Sequence, residues 1–317
     1  MKKKIAEAIK KAKRIAISSH IRPDADSIGS GLALYFMLGQ LGKDVHYYNT
    51  DKAPFPLTGL PGHEVIQYGQ IYPMPFDLVL LIEGGTQDRT GQKHLDDYFT
   101  VNIDHHPTSA YESDINWVVP NAAAVGELVF ELAGQLNIQF TREIGFNLYA
   151  AISSDTGSFK YSNTTHKSLH IASQLVKKCN FRPEEVSNLL FYSNHYEKVQ
   201  MLQKVLSTLE LHLDNRVAVI DFKRNYLKTL TLKDIETEDI ISIARSIQGV
   251  EVTLFFKEIE TDYFRVSIRS RDDISSQQVA RMFNGGGHDH AAGFFYKGKI
   301  RDAKRDILEV IKKQFDK

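Results

Sequence analysis

Short apolar runs alternate with longer amphipathic stretches through the first half of the chain. Arg14–Ser19 reads as a strand, Ile28–Leu41 as a helix with Ser27 near its start, and Val45–Asn49 as a second strand. Asp77–Ile82 (DLVLLI) is apolar at almost every position, the pattern of a strand buried on both faces, and Phe99–Ile103 is a further strand. Val125–Leu136 and Glu143–Ser153 repeat apolar residues at helical spacing. The segment Ala53–Pro75, with five prolines, reads as an irregular loop. Strands interleaved with helices predict an α/β fold with a mostly parallel sheet covered on both faces, and in such sheets ligands collect beyond the carboxyl ends of the strands.

From Ser168 to about Leu213 the pattern is helical apart from a turn near Asn180–Pro183. A smaller α/β module then follows, with strands over Arg216–Asp221, Val250–Glu258 and Tyr263–Arg269 and helices over Ser276–Phe283 and Arg301–Phe315. The expected organisation is a first domain over 1–190, a helical linker over 191–215 and a second domain over 216–317. No internal repeat or low-complexity tract interrupts it.

Composition narrows the function. Of 317 residues, 42% are hydrophobic and 25% charged, with Lys+Arg and Asp+Glu at 39 each. Zero net charge excludes a chain-wide basic field, so duplex nucleic acid is not the expected partner, while a local pocket for a few phosphates stays open. The single cysteine, Cys179, allows no intrachain disulfide and fits a reducing, cytoplasmic compartment. Ile5, Ala8, Ile9 and Ala12 place a Lys-rich surface helix at the N-terminus rather than a secretory signal. No apolar run approaches the ~18 residues of a membrane span, so no membrane partner is expected.

Acids and histidines gather at the ends of predicted elements. His20-Ile-Arg-Pro-Asp24-Ala-Asp26 follows the first strand and precedes a helix, putting one imidazole and two carboxylates where a loop can aim them at one point. Mixed nitrogen and oxygen donors suit Mn, Zn, Fe or Mg, whereas helix capping alone explains the two Asp but not His20. Asp104-His105-His106 closes another strand, Asp155 closes an apolar helix, and Glu83 follows the DLVLLI strand. Near the C-terminus, Gly285-Gly286-Gly287-His288 permits backbone N–H groups to approach an anion, and Arg269 and Arg271 end a strand with two guanidiniums suited to phosphate. His46, His63, His94, His166, His170, His195 and His212 lie outside any such cluster, His290 adjoins the glycine run, and Trp117 is assigned to an interior or edge position rather than to base stacking. Ser27, Ser153 and Ser154 lack a triad arrangement, which excludes a serine hydrolase.

HIRPDADSIGS at 20–30, DHH at 104–106, SDTG at 154–157 and GGGH at 285–288, in this order, resemble the DHH phosphoesterase superfamily over nearly the whole chain. The resemblance is strongest to its oligoribonuclease/pAp-phosphatase branch, which carries a C-terminal DHH-associated domain. It implies an active-site cleft between the two domains and two divalent ions, Mn2+ first with Mg2+ or Co2+ as alternatives. One ion would be held by His20 and Asp24, the other by Asp26, His105 and Asp155. A carboxylate after the fourth strand would bridge them, and where the family has Asp this sequence has Glu83, placed by the preceding strand and by Arg89 six residues later. Asp104 would orient a neighbouring histidine, His106 would face the substrate, and Arg22 and Arg89 would contact phosphate. Arg269, Arg271, Gly285, Gly286, Gly287 and His288 would grip the distal part of a nucleotide.

The activity so implied is hydrolysis of short oligoribonucleotides and of 3′-phosphoadenosine 5′-phosphate (pAp), by a protein that the family likeness makes a homodimer. Alternatives are a phosphodiesterase for pApA and other cyclic-dinucleotide products, an inorganic pyrophosphatase, and a nucleotide-binding regulator whose turnover is reduced by Glu83.

Overall fold

Six parallel strands organise residues 1–193 in the computed structural model, which describes residues 1–109, 112–229, 238–271 and 274–316. In chain order the elements are α1 (Lys2–Lys11), β1 (Arg14–Ser19), α2 (Ala25–Gln40), β2 (Asp44–Asn49), β3 (Ile66–Tyr68), β4 (Leu78–Ile82) and the single turn α3 (Gln87–Thr90). They continue with β5 (Thr100–Asp104), β6 (Ile115–Val118), α4 (Val125–Leu136), α5 (Arg142–Asp155), α6 (His166–Cys179) and α7 (Pro183–Phe191). The sheet order is β3-β2-β1-β4-β5-β6, so the direction of winding reverses between β1 and β4. A crevice therefore opens beyond the carboxyl ends of those two strands, the usual ligand position in such sheets.

The main core joins one face of the sheet to the helices, through Ile15, Ile17, Leu80, Ile82, Val101 and Ile103. The opposite face is covered too, as expected, but mostly by irregular chain rather than by helices. Ala16, Val79 and Leu81 there pack against Tyr48, Ile71, Phe76 and Leu95 from mostly irregular chain. A sheet face needs apolar cover, and a folded loop supplies it as well as a helix.

Helix α2 is buried almost all round because it lies between the sheet and α5. Glycines make the close approach possible on both sides. A Cβ on Gly29 would stand 2.6 Å from the Asn147 carbonyl oxygen of α5, and one on Gly31 would stand 2.5 Å from the Tyr47 hydroxyl of β2. The helix begins at Ala25 rather than Ile28, because Asp24 and Ser27 form a reciprocal capping box. Two short edge strands, β3 within the expected proline loop and β6, escape sequence reading because three or four residues carry no measurable alternation. The N-terminal helix buries Ile5, Ala6 and Ile9 while its lysines face water, and Trp117 is buried in β6.

The second unit, Asn194–Lys317, contains α8 (Tyr196–Leu206), β7 (Glu210–His212), β8 (Val217–Phe222), α9 (Glu238–Arg245) and β9 (Val252–Glu260). It continues with β10 (Tyr263–Ser270), α10 (Ser276–Met282), β11 (Gly286–His288), β12 (Ala291–Lys297) and α11 (Ile300–Phe315). Its sheet runs β11-β12-β10-β9-β8-β7 and is antiparallel except at β8–β9. Helices α10 and α11 cover one face through Val279, Ala303, Ile307 and Ile311. Most of the expected 191–215 linker is part of this unit, since Met201 and Val205 of α8 join a core with Ile220 and Phe222, and β7 pairs with β8. Strand β7 also ends the helical pattern expected to reach Leu213. Among the described residues, no helix is long and apolar enough to cross a membrane.

The α2–α5 contact generates a stability test. Gly29→Ala forces a methyl group against backbone and is expected to destabilise the first unit by about 1–3 kcal/mol, the range for overpacking. Denaturant unfolding followed by a probe in the first unit measures it, and an unchanged midpoint would mean that the two helices separate freely.

Candidate metal centre

The carboxyl ends of β1, β4 and β5 deliver three of the predicted clusters to one place, and α2 and α5 deliver the rest. After β1, Arg22 takes a left-handed backbone conformation (φ 52°), and its N–H donates to Asp51. That reversal brings His20 and Asp24 together, with His20 Nε2 3.6 Å from Asp24 Oδ2. The other oxygen of Asp24 accepts the Ser27 N–H at 2.9 Å and caps α2. Asp26, on the first turn of α2, is fully buried and accepts from Val125 N at 2.6 Å, Gly126 N at 2.9 Å and Ser30 Oγ at 2.9 Å. The capping interpretation is thus realised twice, Asp24 capping its own helix and Asp26 the start of α4.

Glu83 lies between these groups. Its φ is 56°, an uncommon conformation for a side chain this long and a form of strain that concentrates at functional sites. Its N–H donates to the Ile103 carbonyl at 3.0 Å, and its carbonyl accepts from Arg89 Nε at 2.6 Å. The carboxylate is 1% exposed. One oxygen stands 3.3 Å from His20 Nε2 and the other 3.1 Å from His105 Nε2. His105 Nε2 is also 3.4 Å from Asp155 Oδ2 and 3.9 Å from Asp26 Oδ2. Among the described residues three sets of ligand-type atoms result, His20–Asp24–Glu83, Asp26–Glu83–His105–Asp155 and Glu83–His105–His106, each within 4.8 Å, and Glu83 belongs to all three.

These atoms fit a cation. His20 Nδ1 contacts the Ile21 carbonyl at 2.8 Å and His105 Nδ1 the Ala122 carbonyl at 3.0 Å, so each imidazole turns Nε2 inward, as metal-binding histidines do. Both Nε2 atoms and Glu83 Oε2 are buried without an aligned hydrogen-bond partner. Donors ~2.1 Å from a shared ion stand ~3.0–3.4 Å apart, close to the spacings found. The electrostatics agree. Burial lowers the pKa of His20, but contacts with Asp24 and Glu83 outweigh it and raise the group to about 10. His105 is raised to about 10 in the same way, by Glu83 and Asp26 against burial. Burial, then Asp24 and Glu83, push Asp155 up to about 8, and burial, then Glu83 and Asp155, push Asp26 well above the carboxylate range. Four carboxyl groups crowd two imidazoles, so without a cation Asp26 and Asp155 hold protons that a cation would replace.

Asp104 organises the next residues. Its Oδ1 accepts from the backbone N–H of His105 at 2.7 Å and of His106 at 2.9 Å, and contacts His106 Nδ1 at 2.9 Å. His106 Nδ1 is therefore occupied, although it also lies 3.9 Å from Glu83. Arg22 and Arg89 line an open pocket of about 450 Å3 with His20 and Ile21. Sequence reading missed the supports. Asn49 Oδ1 accepts from Ser19 N and Oγ at the β1–β2 end, and Asn163 Nδ2 donates to the Asp155 and Ala123 carbonyls. Nothing in their local sequence distinguishes them from the other asparagines of the chain.

The remaining predicted residues belong to the second unit. Gly286–His288 form β11, a hairpin strand against β12. A Cβ on Gly285 would stand 2.4 Å from Gly293 O, and one on Gly287 2.5 Å from Ala291 O, whereas Gly286 faces open space. Arg269 is half-buried on β10, and a guanidinium nitrogen of Arg271 donates to the Arg245 carbonyl at the end of α9.

Residues 14–152 match the family model described as the DHH family N-terminal domain, and 226–317 match the DHHA1 domain. A bifunctional oligoribonuclease and PAP phosphatase NrnA of Thermus thermophilus is 30% identical over 312 residues, 98% of this chain and 93% of that protein. The chain belongs to the DHH family. A second DHH-family relative, a probable bifunctional oligoribonuclease and PAP phosphatase NrnA of Streptococcus mutans, is 29% identical over 92% of each chain. An exopolyphosphatase-related protein of Bacteroides fragilis shares the fold, with a TM-score of 0.86 at 24% identity over 98% of this chain and 95% of that one. The histidines and acids from His20 to His106 fall inside the matched DHH segment, and Asp155 lies just beyond it.

Crowded carboxylates give a signed prediction. A carboxyl raised from its ordinary 3.8 to about 8 costs stability as pH climbs through that interval. Asp155→Asn is therefore expected to raise the melting temperature of the metal-free protein, with no gain near pH 4 and the full gain above about pH 8. A divalent cation at a hundredfold excess over its Kd stabilises the native protein by about 2.7 kcal/mol, and Asp155→Asn should reduce this. Thermal scans across pH, with and without cation, check both signs.

Proposed function

We propose that this DHH-family protein is a metal-dependent phosphoesterase that hydrolyses short oligoribonucleotides and converts pAp to AMP. The observation that carries the reading is Glu83, whose two oxygens face His20 on one side and His105 on the other. A single carboxylate shared in this way suits a pair of cations, with His20 and Asp24 holding one and Asp26, His105 and Asp155 the other. Mn2+ is the ion we assign, given nitrogen and oxygen donors without thiolate. When bound, such a pair polarises a phosphate and supplies a nucleophile near neutral pH. The names borne by the relatives point to the substrates, short RNA and pAp.

The protein's own residues do the remaining work. Asp104 holds His106 through Nδ1, leaving Nε2 to neutralise phosphate charge or to protonate the leaving oxygen. Arg22 and Arg89 offer guanidiniums to phosphate oxygens around their pocket. Arg269, Arg271 and the Gly285–His288 run bind the distal part of the nucleotide, Gly286 being the position where bare backbone faces open space. The absence of any cysteine other than Cys179 supports a cytoplasmic setting.

Incubation with Mn2+ and labelled dinucleotide, pAp, pApA and pyrophosphate in parallel tests the assignment. Turnover of dinucleotide and pAp is expected, with loss of both in Asp155→Ala. Asp104→Ala is expected to lower kcat/KM by about 10- to 100-fold, the usual effect of removing a partner that orients a site histidine. Tight nucleotide binding without turnover, rescued by Glu83→Asp, would establish a sensor instead. Preferred hydrolysis of pyrophosphate would remove the nucleotide role from the second unit.

A further inference from the structure

The second sheet is unequally covered. Phe264, Val266, Ile268 and Phe294 are buried under α10 and α11, and side chains alternate along a strand, so the residues between them share the other face. Met201 and Val205 of α8 and Ala244 of α9 pack on that face against Ala218, Ile220 and Phe255. Farther along it, register aligns Lys257, Arg265 and Phe295 in one row across β9, β10 and β12. Phe295 is 58% exposed, and Tyr263 stacks on it diagonally, with ring centroids 5.6 Å apart and planes 17° apart.

The two cations of the row lie close to each other. Lys257 reaches over the Phe222 ring at 5.7 Å, and burial followed by the Arg265 charge lowers its pKa. Glu260 stands opposite Tyr263 at the hairpin end, yet among the described residues no ion pair joins a carboxylate to Lys257 or Arg265. On β10, β12 and β11 the adjacent row, Ser267, Gly293 and Gly286, carries almost no side chain, and its β9 member, Phe255, is buried in the core with α8 and α9. Beyond it lie Arg269, Ala291 and His288, with Arg269 four residues from Arg265, or ~13 Å along the strand.

We propose that Lys257, Arg265, Phe295 and Tyr263 form a stacking and phosphate subsite for a further nucleotide of a single-stranded oligonucleotide, beyond the one held near Arg269 and His288. The subsite rests on the oligonucleotide reading above and deepens it by assigning chain-length preference to this row. An aromatic pair facing water accepts any base, because every base has a π-face, and two neighbouring cations are relieved by a backbone phosphate. A mononucleotide such as pAp has no second base to place there.

The test compares substrates and separates binding from turnover. Fluorescence anisotropy with a labelled penta-adenylate in EDTA measures binding without hydrolysis, and steady-state kinetics with penta-adenylate and pAp follow. Phe295→Ala is expected to weaken penta-adenylate binding about tenfold, equivalent to ~1.4 kcal/mol and within the range for one stacked base. Its KM for the pentanucleotide should rise similarly, that for pAp much less, and Phe295→Tyr should retain wild-type affinity. Arg265→Ala should weaken binding and flatten its salt dependence. Equal losses on both substrates, or no change in pentanucleotide affinity, would overturn the subsite alone. A change of sedimentation mass in place of oligonucleotide affinity would assign the face to self-association. A wild-type protein that neither binds nor hydrolyses the pentanucleotide would overturn the oligonucleotide reading as well.

Discussion

Repulsion among crowded carboxylates, two of them buried, is the constraint around which the first unit is built. Asp24, Asp26, Glu83 and Asp155 crowd His20 and His105, and the carboxylate at their centre is almost completely shielded from water. Such a cluster persists only if the chain holds each acid independently. Asp24 and Asp26 are fixed by backbone N–H groups at the starts of α2 and α4, whose positive ends also favour a negative charge. Glu83 is fixed by a strained backbone and by Arg89, which grips its carbonyl rather than its carboxylate. An arginine paired with the carboxylate would neutralise the charge that a cation needs, whereas this arrangement leaves both oxygens facing the two imidazoles.

The close packing behind the site follows from the same requirement. The acids and imidazoles carried by β1, β4, β5, α2 and α5 stay in register only if α2 stands at a fixed height between the sheet and α5. Gly29 and Gly31 set that height by letting backbone meet backbone and ring. Asp26 is on α2 and Asp155 on α5, so the α2–α5 contact is also a distance constraint between two carboxylates that face one His105 nitrogen. Stability and site geometry are therefore coupled through glycines that touch no ligand atom.

What was legible in the sequence follows from signal strength. Long buried strands such as Leu78–Ile82 and amphipathic helices such as Val125–Leu136 announce themselves by composition and period, and acids and histidines at their ends stand out against apolar neighbours. Ile66–Tyr68, Ile115–Val118 and Gly286–His288 are too short to carry a pattern, and their pairing is decided by partners far along the chain. The inward turn of His105 depends on the Ala122 carbonyl, a backbone atom that no residue type encodes. The glycine run shows a related limit. Three glycines suggest bare backbone for an anion, but Gly285 and Gly287 are required by close strand contacts, and Gly286 is the one of the three with open space.

Capping and ligation, weighed as competitors in the sequence, are geometrically compatible uses of one side chain. A carboxylate has two oxygens and about four acceptor positions, so Asp26 accepts from two N–H groups and Ser30 Oγ and still faces His105. The cap removes rotational freedom that an unsupported ligand would lose on binding a cation, which preorganises the centre. It also means that removing the Asp26 side chain would strip α4 of its cap together with the candidate ligand, so loss of function there could not be separated from loss of structure. Asp155, at a helix end with no backbone N–H on its carboxylate among the described residues, has no such second duty. Of the two acids, its side chain is the one whose removal isolates the chemistry.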